Sequence, residues 1–291
     1  MKKVAVLSDI HGNYVALDAC MEYCRKKGVE TYIFLGDYVG EFSYPERTME
    51  RIYEIADRYE CHFVRGNREQ YMLDYRMGKK GGWSDFDSTT GSLLYCYGRL
   101  TEWDFVFFEN LPLAMKIEFD GLPSLTACHG SPENIGEKML PGEARTVELM
   151  RGCDTDVILC GHTHIQNNFF KGRKALINPG SVGFPQTPLS CGPKAQFVLM
   201  SGENAGWRGE CVTLDYDAER VLAELDAEKL ERHAPYWTKV TKQMLGRSGA
   251  PDHGTVLKRA MELCEAAEGT CVWPNVPELY WARAFSELAG N

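Results

Sequence analysis

Apolar positions along the first third of the chain switch between two periods. "KVAVLS" (3–8) is a short β-branched apolar run and predicts a strand. "YVALDACMEYCRKKG" (14–28) sets Val15, Leu17, Cys20, Met21 and Cys24 at helical spacing, with Gly28 as a stop. "TYIFLG" (31–36) predicts a second strand. In "PERTMERIYEIADRY" (45–59), Pro45 suits a first helical turn, and Met49, Ile52, Tyr53, Ile55 and Ala56 form a stripe. "CHFVRG" (61–66) predicts a third strand. This alternation predicts an α/β fold that opens on parallel strands.

Residues 68–111 are less regular, with helical patterns in "EQYMLDYRM" and "TGSLLYCYGRL" on either side of the polar, Gly-rich "GKKGGWSDFDS". "LAMKIEF" and "LPSLTACHG" predict a hairpin turning at Asp120–Gly121. Helix "GEARTVELMRG" leads into strand "DVILCG", a second hairpin turns at Gly172, and "AQFVLMS" and "WRGECVTLDY" add two strands. From Asp217 the pattern is helical: "DAERVLAELDAEKLERH" as one helix, then "TVLKRAMELCEAAEG" and "PELYWARAFSELAG", the last stopping at Gly290. The expected division is a domain over residues 1–216 and a helical C-terminal extension over 217–291, which would cap a pocket or form a homo-oligomer.

Composition narrows the function classes. The 291 residues carry a net charge of -9, with a pI near 5.4. Such a chain is repelled by nucleic acid polymers and anionic membranes, but bound cations would still let it take an anionic small molecule. The 11 cysteines form no CxxC pair, which fits a reducing compartment. The N-terminal apolar run stops at Ser8 and Asp9, and no stretch reaches membrane-spanning length, so a cytoplasmic protein is expected.

The chemistry gathers where strands end. "SDIHGN" supplies Asp9 and His11, "GDYVG" Asp37, "RGNRE" Asn67, "CHGS" His129 and "GHTH" His162 and His164. Ligand sites of open α/β sheets lie outside the carboxyl ends of strands. Nitrogen and oxygen donors without a thiolate suit Mn, Fe or Zn better than a structural zinc site. Seven donors exceed one tetrahedral ion and suit two that share a carboxylate. A metal pair roughly 3.5–4 Å apart clamps the attacking and leaving oxygens of a displacement at phosphorus.

The ordered motifs D-x-H, GD, GN, H and GHxH resemble the calcineurin-like metallophosphoesterase superfamily. From "SDIHGN" through "INPGSVG" (residues 8–183) they resemble its small bacterial phosphodiesterase branch. The resemblance implies a four-layer αββα sandwich of two mixed sheets flanked by helices. It implies one ion on Asp9, His11, Asp37 and His164 and another on Asp37, Asn67, His129 and His162, with Asp37 bridging. It also implies hydrolysis of a small phosphodiester, nucleotide or phosphomonoester by a metal-bridging hydroxide, with catalytic roles for Asp37, Asn67, Arg68 and His129. The family's histidine after GN is replaced by Arg68, which binds phosphate oxygens but cannot act as an acid near neutral pH. Competing readings are a dinucleoside polyphosphate or protein phosphatase, or a silent scaffold such as a retromer subunit of the same fold. The missing "DRG" continuation counts against the protein phosphatases, and the complete donor set counts against the scaffold.

Asn13 and Tyr38, beside ligands, and Ser181, in "NPGS" with Asn178, are further candidates for substrate contact. His62, His233 and His253 read as core or surface histidines, and Cys128 and Cys160 as packing residues. Asp85, Asp87, Lys79 and Lys80 read as a solvated loop, and "GKKGGW" as a lid or an ordinary surface loop.

Overall fold

The computed structural model describes residues 2–79, 82–186, 194–203, 206–246 and 249–288. The chain begins β1 (Lys2–Leu7), α1 (Tyr14–Lys26), β2 (Thr31–Phe34), α2 (Pro45–Arg58) and β3 (Glu60–Phe63), as the periodicity predicts. There follow α3 (Asn67–Arg76), α4 (Gly91–Tyr97), α5 (Glu102–Asn110), β4 (Ala114–Phe119), β5 (Leu122–Cys128), α6 (Ala144–Gly152) and β6 (Val157–Leu159). Then come β7 (Asn167–Lys171), β8 (Lys174–Asn178), β9 (Ala195–Glu203) and β10 (Gly206–Leu214). The C-terminal part holds α7 (Ala218–Ala227), α8 (Leu230–His233), α9 (Pro235–Gly246), α10 (His253–Glu268) and α11 (Glu278–Leu288).

Two mixed five-stranded sheets form the centre, ordered β10-β9-β1-β2-β3 and β4-β5-β6-β8-β7. In each, three neighbouring strands run parallel: β1, β2 and β3 in one, β5, β6 and β8 in the other. Side chains alternate across a strand. Val4 and Val6 of β1 therefore join Ile33, Leu125, Leu159, Ile177 and Met200 between the sheets. Ala5 and Leu7 face outward onto α1, α2 and α3, with Leu17, Ile52 and Met72. The outer face of the second sheet packs Ile158 and Leu176 on α6, and Cys128 and Cys160 lie in that cluster as packing residues. This four-layer arrangement leaves the carboxyl ends of the parallel strands on one edge. None of the ten described cysteines is in a disulfide.

Three features of the helical regions differ from expectation. The segment read as one helix over 217–233 breaks at Lys229, whose φ is +54°. The reversal lets both Leu225 and Leu230 reach the apolar cluster that holds Phe42 and Phe184. α5 follows "T-x-x-D", in which Thr101 and Asp104 cap each other reciprocally; its inner face is only Phe105 and Phe108, while Trp103 and Val106 are exposed, so the stripe is faint. α9 begins at Pro235 and buries Trp237, Val240 and Leu245. The stop at Gly290 lies outside the described residues, as does Lys80. No helix among the described residues is long and apolar enough to cross a membrane.

The C-terminal helices have their own core of Trp237, Val256, Ala260, Tyr280 and Trp281. They also share a cluster with Tyr14, Phe42 and Phe184, beside the strand-end turns. The helical part thereby sits against the edge where the donors gather.

Candidate metal centre

Five of the seven donors are presented by turns with unusual backbone. Asp9, His11, Asp37, His162 and His164 all have φ between 55° and 63°, a region that non-glycine residues occupy sparingly and that clusters at functional sites. The turns are also tightly nested. A Cβ on Gly66 would lie 2.2 Å from both the Asp37 amide nitrogen and its Oδ1, and one on Gly161 would lie 2.0 Å from Ser8 Oγ. Glu69, fully buried, accepts from the Gly66, Asp37 and Tyr38 amides at 2.8–2.9 Å and ties the second and third motifs together.

Two groups of ligand atoms result: Asp9, His11 and His164, and Asp9, Asp37 and His129, each with atoms within 4.8 Å of one another. Asp37 turns Oδ2 toward His11 Nε2 at 3.7 Å and Oδ1 toward His129 Nε2 at 3.5 Å. Asn67 Oδ1 is 2.9 Å from His129 Nε2. His162 belongs to neither triplet; its ring stands 5.1 Å from that of His129, and its amide donates to Asp9 Oδ2.

Three of the four imidazoles are oriented as metal ligands are. His129 donates from Nδ1 to the Leu35 carbonyl and His164 from Nδ1 to the Phe184 carbonyl, both at 2.7 Å, and His11 from Nδ1 to Glu41 at 2.7 Å. Each Nε2 is thereby turned into the cluster, the outer-partner pattern that fixes ligating histidines. His11 Nε2 and His164 Nε2 approach to 3.1 Å, a contact that requires a proton or a cation between them. Asp9 Oδ1 is buried without a hydrogen-bond partner among the described residues. An orphaned carboxylate oxygen facing imidazole nitrogens fits a divalent ion.

Electrostatics agree. Burial opposes charge on His11, yet Glu41, Asp9 and Asp37 outweigh it and raise its pKa to about 10. Burial would raise Asp9, but His164, His11 and His129 hold it well below the usual carboxylate range. Burial, helped by neighbouring His129, lowers His162 to about 4, so its imidazole is neutral at pH 7. Burial and Asp37 together push Glu69 up to about 7. A divalent ion must displace the His11 proton. Uptake at pH 7 is therefore expected to release a proton, and apparent affinity to rise with pH toward 10; titration calorimetry in buffers of different ionisation heat measures this.

A family model described as calcineurin-like phosphoesterase matches residues 2–166. The chain belongs to that family. Phosphodiesterase YfcE of Escherichia coli is 25% identical over 209 residues, covering 68% of this chain and 90% of YfcE. An uncharacterized protein of Methanocaldococcus jannaschii is 26% identical over 253 residues, covering 80% of this chain and 94% of its own. The crystal structure of a hypothetical protein from Pyrococcus horikoshii superposes with a TM-score of 0.68 at 24% identity, over 80% of this chain and 99% of that one. The protein is thus a phosphoric ester hydrolase with the two-sheet fold of that family, whose members use divalent metals.

In this calcineurin-like phosphoesterase four of the seven donors, His11, Asn67, His162 and His164, line a cleft of about 370 Å³ together with Arg68, while Asp9, Asp37 and His129 lie buried beneath them. Asn13, Tyr38 and Ser181 do not line it, and each is fully buried. Asn13 caps α1 by accepting from the Ala16 amide, Tyr38 donates to the Val64 carbonyl, and Ser181 donates to the Asp9 carbonyl. Adjacency in sequence to a ligand placed them behind the site, where they hold the turns. Asn178 does the same for "GHTH", donating to the Gly161 carbonyl at 2.8 Å.

Other cleft residues escaped the sequence reading. Glu41 is buried, ion-paired with Arg68 and hydrogen-bonded to His11; its one signal is a carboxylate four residues past Asp37. His253 is a core histidine, as read, packed on Trp237 and hydrogen-bonded to Thr241, but it also lines the cleft. Trp237, Met244, Leu257 and Trp273 complete the wall from the helical part.

Proposed function

We propose that the chain hydrolyses a small phosphoester, most naturally a phosphodiester, with two divalent ions held by seven side chains. Asp9, His11, Asp37 and His164 would hold one ion, and Asp37, Asn67, His129 and His162 the other. The observation that carries this is Asp37, whose two oxygens face His11 and His129 separately. The chemistry such ions supply is Lewis acidity, which offsets phosphoryl charge and makes water nucleophilic near neutral pH.

The chain's own residues do the rest. Glu41 holds the His11 ring through Nδ1 and pairs with the Arg68 guanidinium. Arg68 stands on the cleft wall beside Asn67, where its fork can bind phosphate oxygens and stabilise transition-state charge. Burial would lower the Arg68 pKa, but Glu41 and Asp37 raise it, so it stays charged and delivers no proton. A leaving group therefore departs as an anion or takes its proton from water, which favours good leaving groups. The cleft volume suits a small substrate rather than a polymer strand.

Two assays test this. A chromogenic phosphodiester with added Mn is expected to turn over, with activity lost to a chelator; no turnover across mono- and diesters with Mn bound would overturn the reading. Arg68→His tests the proton step. A histidine there is expected to raise the rate for alkyl leaving groups relative to nitrophenolate by about tenfold or more, the low end of general acid catalysis, measured as a ratio of kcat/KM values.

A further inference from the structure

The last helices carry a pair of thiols that the chemistry at phosphorus does not use. Cys264 of α10 is buried in the cluster that holds Val276, Tyr280 and Trp281. α10 ends at Gly269, whose φ of +81° and amide bond to the Glu265 carbonyl turn the chain back toward the helix. Cys271 follows, half-buried, and packs on the same cluster. The turn brings the two side chains together. Cys264 Sγ lies 4.0 Å from the Thr270 carbonyl oxygen, and its thiol is hydrogen-bonded to that of Cys271. Both are free thiols. An isolated cysteine on an apolar face serves as a small hydrophobe, but a contacting pair with one accessible sulfur has a further chemistry.

The segment beyond Cys271 reaches the cleft. Trp273 lines it and stands 5.6 Å from the Tyr71 ring, and Val276 is buried again in the helical core. Between these anchors Val272 is 65% exposed. The backbone hydrogen bonds here are local: the Asn275 amide donates to the Val272 carbonyl and the Val276 amide to the Pro274 carbonyl. The wall at Trp273 is thus strung between Cys271 and Val276, and its hold at Cys271 is a thiol contact, which is weak.

We propose that Cys264 and Cys271 are a redox modification site, a dithiol that a peroxide closes to a disulfide and that then pins the Trp273 wall of the cleft to α10. Cys271, the more accessible sulfur, attacks a peroxide oxygen as its thiolate. The O–O bond breaks, the sulfur becomes a sulfenic acid, and the other oxygen leaves as water with the proton that the thiol gave up. The Cys264 sulfur then attacks the Cys271 sulfur. The S–O bond breaks, and hydroxide leaves as a second water with the Cys264 proton. Two thiols and one hydrogen peroxide give one disulfide and two waters, and a dithiol reductant reverses the change. Desolvation and the hydrogen bond to Cys271 push the Cys264 thiol up to about 11, so it keeps its proton until that second step. In a reducing compartment such a pair rests as thiols and is oxidised transiently.

The test treats the whole chain, free of metal, with hydrogen peroxide and then removes the oxidant. Intact mass is expected to fall by two hydrogens, and peptide mapping to place the cross-link between Cys264 and Cys271. Cys271→Ser, at a half-buried position, should abolish it, and Cys264→Ala should do the same while keeping the site apolar. Hydrogen exchange reads the pinning without turnover: amides between 270 and 275 should exchange about tenfold or more slowly in the oxidised protein, since a cross-link removes much of the open segment's freedom. The consequence for rate rests on the hydrolytic reading above. A pinned wall opens less readily, so kcat/KM for a chromogenic phosphodiester with Mn should fall at least about fivefold on oxidation, the low end of coupling between sites. Dithiothreitol followed by desalting should restore it, and Cys271→Ser should be indifferent to peroxide. No cross-link, or one between other cysteines, would overturn the site. A cross-link without slower exchange, or with an unchanged rate, would overturn its control of the cleft. Hydrolysis by neither form would count against the hydrolytic reading, and mass and exchange would still decide the redox site.

Discussion

Asp37→Asn is expected to cost about 10³-fold or more in kcat/KM for any phosphoester, because Lewis acidity worth several kcal/mol depends on the charge it carries. The substitution preserves shape. The Arg68 amide donates to Asp37 Oδ1 at 2.8 Å and can still do so to an amide oxygen. What disappears is the carboxylate between His11 and His129. In the metal-free fold the change removes an attraction to His11 and Arg68, whose charged forms Asp37 favours, as well as a repulsion, so its effects on stability oppose each other. Burial and Asp37 raise Glu69 to about 7, which records a repulsion that the neutral side chain removes. Melting the wild type with and without Mn should show a large metal-induced rise in Tm, and Asp37→Asn should show little. Retained turnover with an undiminished rise would remove Asp37 from the bridging position.

The donors were legible because each terminates a short apolar run, and a strand can end only at the sheet edge. Asp9 and Asp37 follow the neighbouring parallel strands β1 and β2, His129 follows β5 of the other sheet, and the three meet in one cluster. Orientation was not legible at the same resolution. Asn13 and Tyr38 flank ligands in sequence, yet the left-handed backbone at His11 and Asp37 turns the chain so that these neighbours point into the frame. Glu41 lies in "GEFS", outside any periodic element, and its partner Arg68 comes from a different turn. The cleft wall needed still more than local pattern. Amphipathic spacing shows that α10 and α11 have buried faces, but not that Leu257 of α10 and Trp237 of α9 share a cleft with His11 and His164. That depends on Phe42 and Phe184 offering an apolar seat to α7, α8 and α9.

Trp281→Ala is the sharpest test of that seating, with an expected loss of about 3–5 kcal/mol in unfolding free energy. Trp281 is fully buried in α11, stacks edge-on to Trp237 at 5.9 Å, and donates from Nε1 to Thr89 Oγ1 at 3.0 Å. Thr89 lines the cleft just before α4, so this indole ties the last helix to the segment that leads into the first half of the fold. Glu278 of α11 adds a second tie by accepting from the Ser88 amide and hydroxyl. If the two parts unfold together, as these ties favour, denaturant unfolding of Trp281→Ala shifts one cooperative transition to lower midpoint without changing its slope. An appended helical module would instead split the transition, leaving the sheet region at its original midpoint. Trp281→Phe separates packing from the hydrogen bond. It keeps most of the buried ring and loses the donor to Thr89, for an expected cost of about 1–2 kcal/mol.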